Sequence, residues 1–360
     1  MARRAHRRAL AGRIGRAGAG RHAAARRRRL SDPSRSTIPD CRSLSPRMST
    51  VSVVTLAKGR PAHLRNVLLG LERQTRLPAE FIIAVMQDAP YDLPETAFPV
   101  RQILVSGTEL PLAAARNRGV AAASGENIVF LDVDCIPAPE LVADYARALS
   151  ELDGLLMGEV LHLPEHATAG DWRYADLAAV AEKHSDRRGP PTAGIEICND
   201  YRCFWSLNFA IRRATFQAVG GFDERYTGYG GEDTDFGKIL DQCGLPIAWM
   251  KGALAYHQYH PHHMPPIHHL DSVVSNAELF EAKWGYRTMG HWLHAFKVMG
   301  LIDDTPEQPI RILRRPDAED LALNGQQSHQ PYTNSASVIR HLEAGARERN
   351  VPPASVPVTA

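Results

Sequence analysis

Apolar residues follow two rhythms along this chain, and the rhythms alternate. Val51–Leu56 is a short β-branched run, the pattern of a buried strand. Pro61 then stands at a plausible first helical position, and Leu64, Val67, Leu68 and Leu71 repeat at helical spacing across His63–Gln74. Phe81–Val85 and Gln102–Val105 read as a second and a third strand, Leu112–Ala123 as an Ala-rich helix, Asn127–Val133 as a fourth strand and Pro139–Leu152 as a helix. This alternation predicts βαβ units: an α/β fold with a mostly parallel central sheet flanked by helices. Ligands of such sheets gather at the carboxyl ends of the strands. Asp88, Asp132 and Asp134 fall at or just after predicted strand ends.

The second half is less regular. Gly154–Leu163, Cys203–Ile211 and Ile247–Tyr256 read as strands, and Trp172–His184, Arg213–Val219, Asp233–Gln242 and Ser272–Met299 as helices. Asp186–Asp200, polar and holding Gly189, Pro190, Pro191 and Gly194, predicts a loop able to move. Beyond about residue 303 the chain is polar and has little periodicity. The resulting division is a leader at 1–47, a main domain at 48–300 and a loosely ordered tail at 301–360.

Charge changes the picture of the leader. Residues 1–47 hold 14 Arg, no Lys, and only Asp32 and Asp40 as acids, while the chain from Met48 onward holds 28 basic and 38 acidic residues, a net of −10. An acidic body argues against nucleic acid as the main partner and suits a divalent cation. The leader's Ala/Arg/Gly/Ser bias predicts disorder, and it lacks the apolar core of a secretory signal. A transit peptide, a nucleic-acid arm and a true start at Met48 are the readings left for it. The five cysteines are irregularly spaced and form neither a disulfide framework nor a CxxC zinc pattern, which predicts a reducing cytoplasm. No stretch approaches the roughly 20 apolar residues of a spanning helix, so peripheral membrane contact is the most that is expected.

Three segments carry candidate chemistry. Phe130-Leu131-Asp132-Val133-Asp134 puts two carboxylates at the mouth of an apolar strand, where hard oxygen ligands suit Mg²⁺ or Mn²⁺. Gly228-Tyr229-Gly230-Gly231-Glu232-Asp233-Thr234-Asp235 places acids at the start of a helix, behind glycines that permit close approach and positive φ. Capping would need one acid there, not three. In Tyr256-His257-Gln258-Tyr259-His260 a histidine directly follows a strand and can serve as a neutral imidazole ligand, with His260 next in line. The aromatics Tyr201, Phe204, Trp205, Tyr226 and Tyr229 collect near these segments, as sugar-stacking surfaces or as core.

Taken in order, VSVVTLAKGR, AAARNRGVAAASGENIVFLDVD and WSLNFAIRRATFQAVGGFDERYTGYGGEDTDF followed by AYHQ resemble the family 2 glycosyltransferases of the GT-A fold. The Gly-Gly-Glu-Asp segment also resembles the β-1,4-galactosyltransferases and chondroitin-polymerase type enzymes. The resemblance implies a metal-dependent, inverting transfer from a nucleotide-diphosphate sugar, UDP favoured, to a carbohydrate or glycoconjugate acceptor, with Mn²⁺ preferred to Mg²⁺. It implies that Thr55 lines the nucleotide pocket with Arg60 nearby, that Arg116 and Asn117 lie beside the nucleotide, and that Asp132 meets ribose or a metal-bound water. Asp134 with His257 would bind the metal. Asp233 would be the catalytic base, with Glu232 orienting the acceptor, Tyr229 packing against an acceptor sugar, and Trp205 and Gly231 also on the acceptor or sugar side. Asp88 stands where the family has Asp-Asp-Gly-Ser and contacts the base, but here the chain reads Gln87-Asp88-Ala89-Pro90.

Rival readings fit less well. A haloacid-dehalogenase-type phosphohydrolase also has Asp-x-Asp after a strand, but follows it with Gly-Thr or similar, where this chain has Cys135-Ile136-Pro137. A nucleotidyltransferase would want a Gly-rich basic loop, of which Leu56–Arg60 is a poor version. A degenerate carbohydrate- or nucleotide-binding protein would not need Asp132, Asp134 and Asp233 together.

Overall fold

A computed structural model describes residues 49–107, 109–326, 331–332 and 339–344. The leader expected at 1–47 lies outside the described residues, as does most of the chain beyond 326.

In chain order the elements are β1 (Val51–Ala57), α1 (Pro61–Glu72), β2 (Glu80–Val85), β3 (Val100–Leu104), α2 (Leu112–Ala122), β4 (Asn127–Leu131), β5 (Cys135–Pro137) and α3 (Leu141–Glu151). There follow β6 (Leu155–Met157), β7 (Val160–His162), α4 (Tyr174–Val180), β8 (Glu182–Lys183), β9 (Ile195–Ile197), a 3₁₀ turn (Tyr201–Cys203), β10 (Asn208–Arg212) and α5 (Arg213–Ala218). The last are α6 (Glu232–Gln242), β11 (Ile247–Met250), β12 (Ala255–His257), a 3₁₀ turn (Ile267–His269), α7 (Leu270–Trp284), α8 (Gly290–Val298), β13 (Ile302–Asp303), β14 (Arg311–Ile312) and α9 (Ala318–Asn324).

The main sheet has eight strands in the order β3-β2-β1-β4-β10-β6-β11-β9. Its first four strands are mutually parallel, as the βαβ rhythm predicts. The other half is mixed: β10 runs antiparallel to both β4 and β6, and β9 antiparallel to β11. Strands β1, β2 and β4 are buried along their whole length, which is why they read as largely apolar runs. Successive residues still go to opposite layers. Val53 and Val129 pack with Leu64, Leu68, Leu141 and Tyr145 of α1 and α3. Val54 and Phe130 pack with Phe209, Phe216, Phe222 and Phe236, where Phe130 and Phe209 stack at 4.5 Å.

Two expected strands, Gly154–Leu163 and Ile247–Tyr256, each break and restart in a second, four-stranded sheet ordered β5-β12-β7-β8, which the unexpected β5 joins just beyond the expected strand Asn127–Val133. Main-sheet β4 gives way to β5, β6 to β7, and β11 to β12. Tight crossings at this seam require a missing side chain: a Cβ on Gly158 would lie 2.1 Å from the Ala253 carbonyl oxygen. The seam carries Asp132 and Asp134 in one crossing and brings His257, at the end of β12, opposite them.

The expected helix Ser272–Met299 is two helices, α7 and α8, because Gly285 closes the first in the left-handed region at φ 83°. Trp172–His184 keeps its helix only over α4 and then turns into β8. Residues 301–324, although polar, form the β13–β14 pair and α9, and Leu301, Ile302 and Ile310 pack against α7 and α8. Among the described residues no helix is long and apolar enough to cross a membrane.

Candidate active site

The site begins with a strained turn. β1 ends at Ala57, and the chain must reverse within three residues to enter α1. Gly59 (φ 61°) and Arg60 (φ 54°) both adopt left-handed backbone, which costs a residue with a side chain about 1–3 kcal/mol. Two contacts hold the turn: the Gly59 amide donates to Gln87 Oε1 at 2.9 Å, and the Tyr91 hydroxyl donates to the Gly59 carbonyl at 2.7 Å. The result aims Arg60 at the seam, where its Nη1 meets Asp134 Oδ2 at 2.5 Å.

Asp134 is nearly closed to solvent and ringed by bases. His257 Nε2 lies 3.5 Å from its Oδ1 and His260 Nε2 3.3 Å from its Oδ2. One ligand atom from each of Asp134, His257 and His260 falls within 4.8 Å of the others. Burial pushes the Asp134 carboxyl up, but His257, His260 and Arg60 outweigh it and hold the group well below the usual carboxylate range. Burial drives His257 the other way, down to about 4, which leaves a neutral imidazole able to donate a lone pair. Asp132, two residues earlier, is raised to about 8 by burial and by the charge of Asp134, with Arg116 opposing. The turn is fixed at both ends: the Asp132 amide donates to the Leu207 carbonyl at 2.9 Å, and the Gln258 amide to the Asp134 carbonyl at 2.7 Å.

Across the cavity, the glycine-rich loop delivers α6. Gly228, Gly230 and Gly231 all have positive φ; a Cβ on Gly228 would lie 2.2 Å from Ser272 Cβ. Asn276 of α7 clasps the loop, its Nδ2 donating to the carbonyls of Thr227 at 3.0 Å and Gly230 at 2.7 Å. The three acids that open α6 then part company. Glu232 is engaged by Arg116 of α2, Nη1 to Oε1 at 3.0 Å, while Arg116 Nη2 donates to Ser206 Oγ at 2.7 Å. Asp235 is fully buried and receives Lys283 Nζ at 2.8 Å and Trp284 Nε1 at 2.7 Å; it ties α6 to α7 and does not line the cavity. Asp233 faces the cavity with one oxygen accepting from Thr234. Burial and the neighbouring Glu232 raise it to about 6, against the pull of Arg116.

Aromatic rings complete the walls. Tyr229 stacks on His269 at 4.8 Å and on Trp292 at 5.8 Å. Trp205, part-exposed on the wall, has behind it the guanidinium of Arg187 with Cζ 5.0 Å from the ring centroid. The whole encloses about 1520 Å³.

Ten of the residues singled out from the sequence line this one cavity: Arg60, Arg116, Asp132, Asp134, Trp205, Tyr229, Gly231, Glu232, Asp233 and His257. Three do not. Thr55 is fully buried inside β1, two residues short of the strand's end. Asp88 is exposed in the turn after β2. Asn117 is spent on the backbone, its Nδ2 donating to the Phe222 carbonyl and its Oδ1 accepting from the Phe222 amide. Sequence reasoning missed Lys58 and Ser206, which also line the cavity; Lys58 sat in the noticed post-strand turn, whereas nothing in the local pattern flags Ser206.

Residues 105–272 match the family model described as "Glycosyltransferase like family 2", so the resemblance to family 2 glycosyltransferases holds over the segment that carries Asp132, Asp134, Glu232, Asp233 and His257. The chain is 26% identical over 257 residues to validoxylamine A glucosyltransferase of Streptomyces hygroscopicus subsp. limoneus, covering 65% of this chain and 56% of that one. It is 29% identical over 184 residues to chondroitin synthase of Escherichia coli, covering 42% of this chain and 25% of that one. It therefore spans a little over half the length of the first of these relatives. Among solved structures, that of GalNAc-T7 with UDP, GalNAc and Mn²⁺ is similar at 17% identity and a TM-score of 0.46, over 59% of this chain and 44% of that one.

Proposed function

We propose that this family 2 glycosyltransferase-like chain moves a sugar from a nucleotide-diphosphate donor to an acceptor hydroxyl, inverting the anomeric carbon, with a divalent ion held at Asp134. The observation that carries the reading is the division of labour across one cavity. A carboxylate with two imidazoles stands on one wall, and a second, separately braced carboxylate stands on the other.

Asp134, His257 and His260 would hold the ion. One carboxylate and two imidazole ligands suit Mn²⁺ better than Mg²⁺, and a bound ion would neutralise charge on the departing diphosphate. Arg60 adds positive charge beside the same carboxylate, and Lys58, also at the mouth of β1, lines the same cavity. Glu232 has an oxygen committed to Arg116, whereas among the described residues Asp233 keeps one oxygen without a protein hydrogen-bond donor and has a raised pKa. Asp233 is therefore the group suited to take the proton from the acceptor hydroxyl, and a carboxyl near pH 6 is matched to that task. Tyr229, backed by His269 and Trp292, offers a flat face to a sugar ring. UDP is the favoured nucleotide, and the name of the glucosyltransferase relative makes UDP-glucose the first donor to try.

The test is a thermal-shift panel of UDP, UDP-glucose, UDP-galactose, UDP-N-acetylglucosamine and UDP-glucuronate with Mn²⁺, Mg²⁺ or EDTA. Binding to the native state raises the apparent melting temperature. A nucleotide shift that appears only with metal supports the reading; no shift with any nucleotide overturns it.

A further inference from the structure

Among the described residues, Arg187 is a buried cation with no carboxylate in salt-bridge contact. Its side chain is 7% exposed, and none of its guanidinium nitrogens has a hydrogen-bond partner among the described residues. A tight turn places it there, the Arg187 amide donating to the His184 carbonyl at 3.1 Å. What it does touch is two indoles, with Cζ 5.0 Å from the ring centre of Trp205 and 4.7 Å from that of Trp249. The two rings differ in kind. Trp249 is buried in β11, where it is in register with Met157 of β6 on one side and Glu196 of β9 on the other. Trp205 lies outside any strand and forms part of the cavity wall.

Burying a charge without an ionic partner is unfavourable, and an apolar side chain of similar volume would fill the same space at less cost. Two indole faces, one buried and one part-exposed, contribute compensation, with Glu159 acting at longer range, and a planar guanidinium suits that role better than a lysine. The neighbours of Trp205 say what such a brace serves. Ser206 accepts from Arg116, and the Leu207 carbonyl accepts from the Asp132 amide. The Trp205 ring thus begins the segment that ties Asp132 to the Arg116–Glu232 pair.

We propose that Arg187 is a positioning residue that holds the Trp205 indole as a fixed wall for the donor's sugar, braced through Trp249 against the central sheet. The inference rests on the donor reading above. It predicts that Arg187 acts on the sugar part of the donor and not on the nucleotide part.

The experiment measures affinity for UDP and for UDP-glucose, both with Mn²⁺, in wild type, Arg187→Met, Trp205→Leu and the double variant, with near-ultraviolet circular dichroism of each free protein. The expected result is a loss of about tenfold in UDP-glucose affinity in Arg187→Met, UDP affinity within about twofold of wild type, and a double variant no worse than Trp205→Leu alone, because coupled residues are not additive. Equal losses for UDP and UDP-glucose would indicate a merely structural arginine and overturn the proposal, as would an unchanged ratio or additive effects. If wild type binds neither ligand, the donor reading has failed. The dichroism then decides the brace: the signal lost in Trp205→Leu must also be lost in Arg187→Met, and its survival there overturns the positioning role.

Discussion

Arg116 Nη1 lies 3.0 Å from Glu232 Oε1, and the two side chains are 4% and 8% exposed. This pair joins α2, in the parallel half of the sheet, to the first turn of α6, which belongs to the mixed half. Arg116 also lies over the Phe222 ring at 5.0 Å. Removing one partner of a buried pair leaves an uncompensated charge, at about 3–5 kcal/mol. Arg116→Met is therefore expected to lower the free energy of unfolding by that amount in a urea titration. A loss below about 1 kcal/mol would mean that the pair is not buried in solution.

Asp233→Asn is expected to lower turnover by roughly 10²-fold or more while leaving metal-dependent donor binding intact, since the change removes a base and keeps the side-chain shape. Steady-state kinetics beside a donor titration separates the two effects. Near-normal turnover removes Asp233 from the role of base.

The pH profile tests the same residue from another side. Asp233 is raised to about 6 from an ordinary value of 3.8 by burial and by Glu232. A base must be unprotonated, so kcat/KM should rise with pH through about 6 and level off above it. Glu232→Gln deletes the neighbouring negative charge and leaves Arg116 in place, so the acidic limb should move to lower pH. A limb that stays put, or moves up, would assign it to another group.

Asp134→Ala should abolish the difference in UDP affinity between Mn²⁺ and EDTA, and His257→Ala should reduce it. Affinity in EDTA should change little, because the charges of Arg60 and Lys58 remain. Equal UDP binding by wild type with Mn²⁺ and with EDTA rules out the metal site.

Asp235 should behave unlike its neighbours. It is fully buried, with Lys283, Trp284 and Tyr226 as donors. Asp235→Asn strips the charge that Lys283 answers, and is expected to destabilise the fold by about 3 kcal/mol. At a temperature where the variant is fully folded, turnover should stay within about threefold of wild type. A loss as deep as that of Asp233→Asn would place Asp235 in the chemistry.

The parallel half of the fold was legible because β1, β2 and β4 are buried on both faces and leave largely apolar runs, punctuated by helices with their own period. The seam was not legible, because β6 and β7, and β11 and β12, each look like one strand in sequence, and the three-residue β5 carries no pattern of its own. What divides them is a neighbour far along the chain, such as the Ala253 carbonyl oxygen that a side chain at Gly158 would strike. Thr55, Asp88 and Asn117 show the limit of motif matching. Each sits in a matching or nearly matching stretch, yet none is among the residues that line the cavity: Thr55 is buried in β1, Asp88 is exposed after β2, and Asn117 is bonded to the Phe222 backbone.

The sequence by itself determined the chemistry available: two carboxylates after an apolar strand, acids behind a glycine-rich loop, and a histidine after a late strand. Side-chain type and local period are properties of short segments, so they survive without a fold. Only the tertiary structure decided which acids do what. Glu232, Asp233 and Asp235 lie within four residues, yet one is held by Arg116 from 116 positions away, one faces the cavity, and one is buried against Lys283 and Trp284. Helical geometry sends neighbouring side chains in different directions. The charge each meets there comes from elements remote in the chain, which no local pattern encodes.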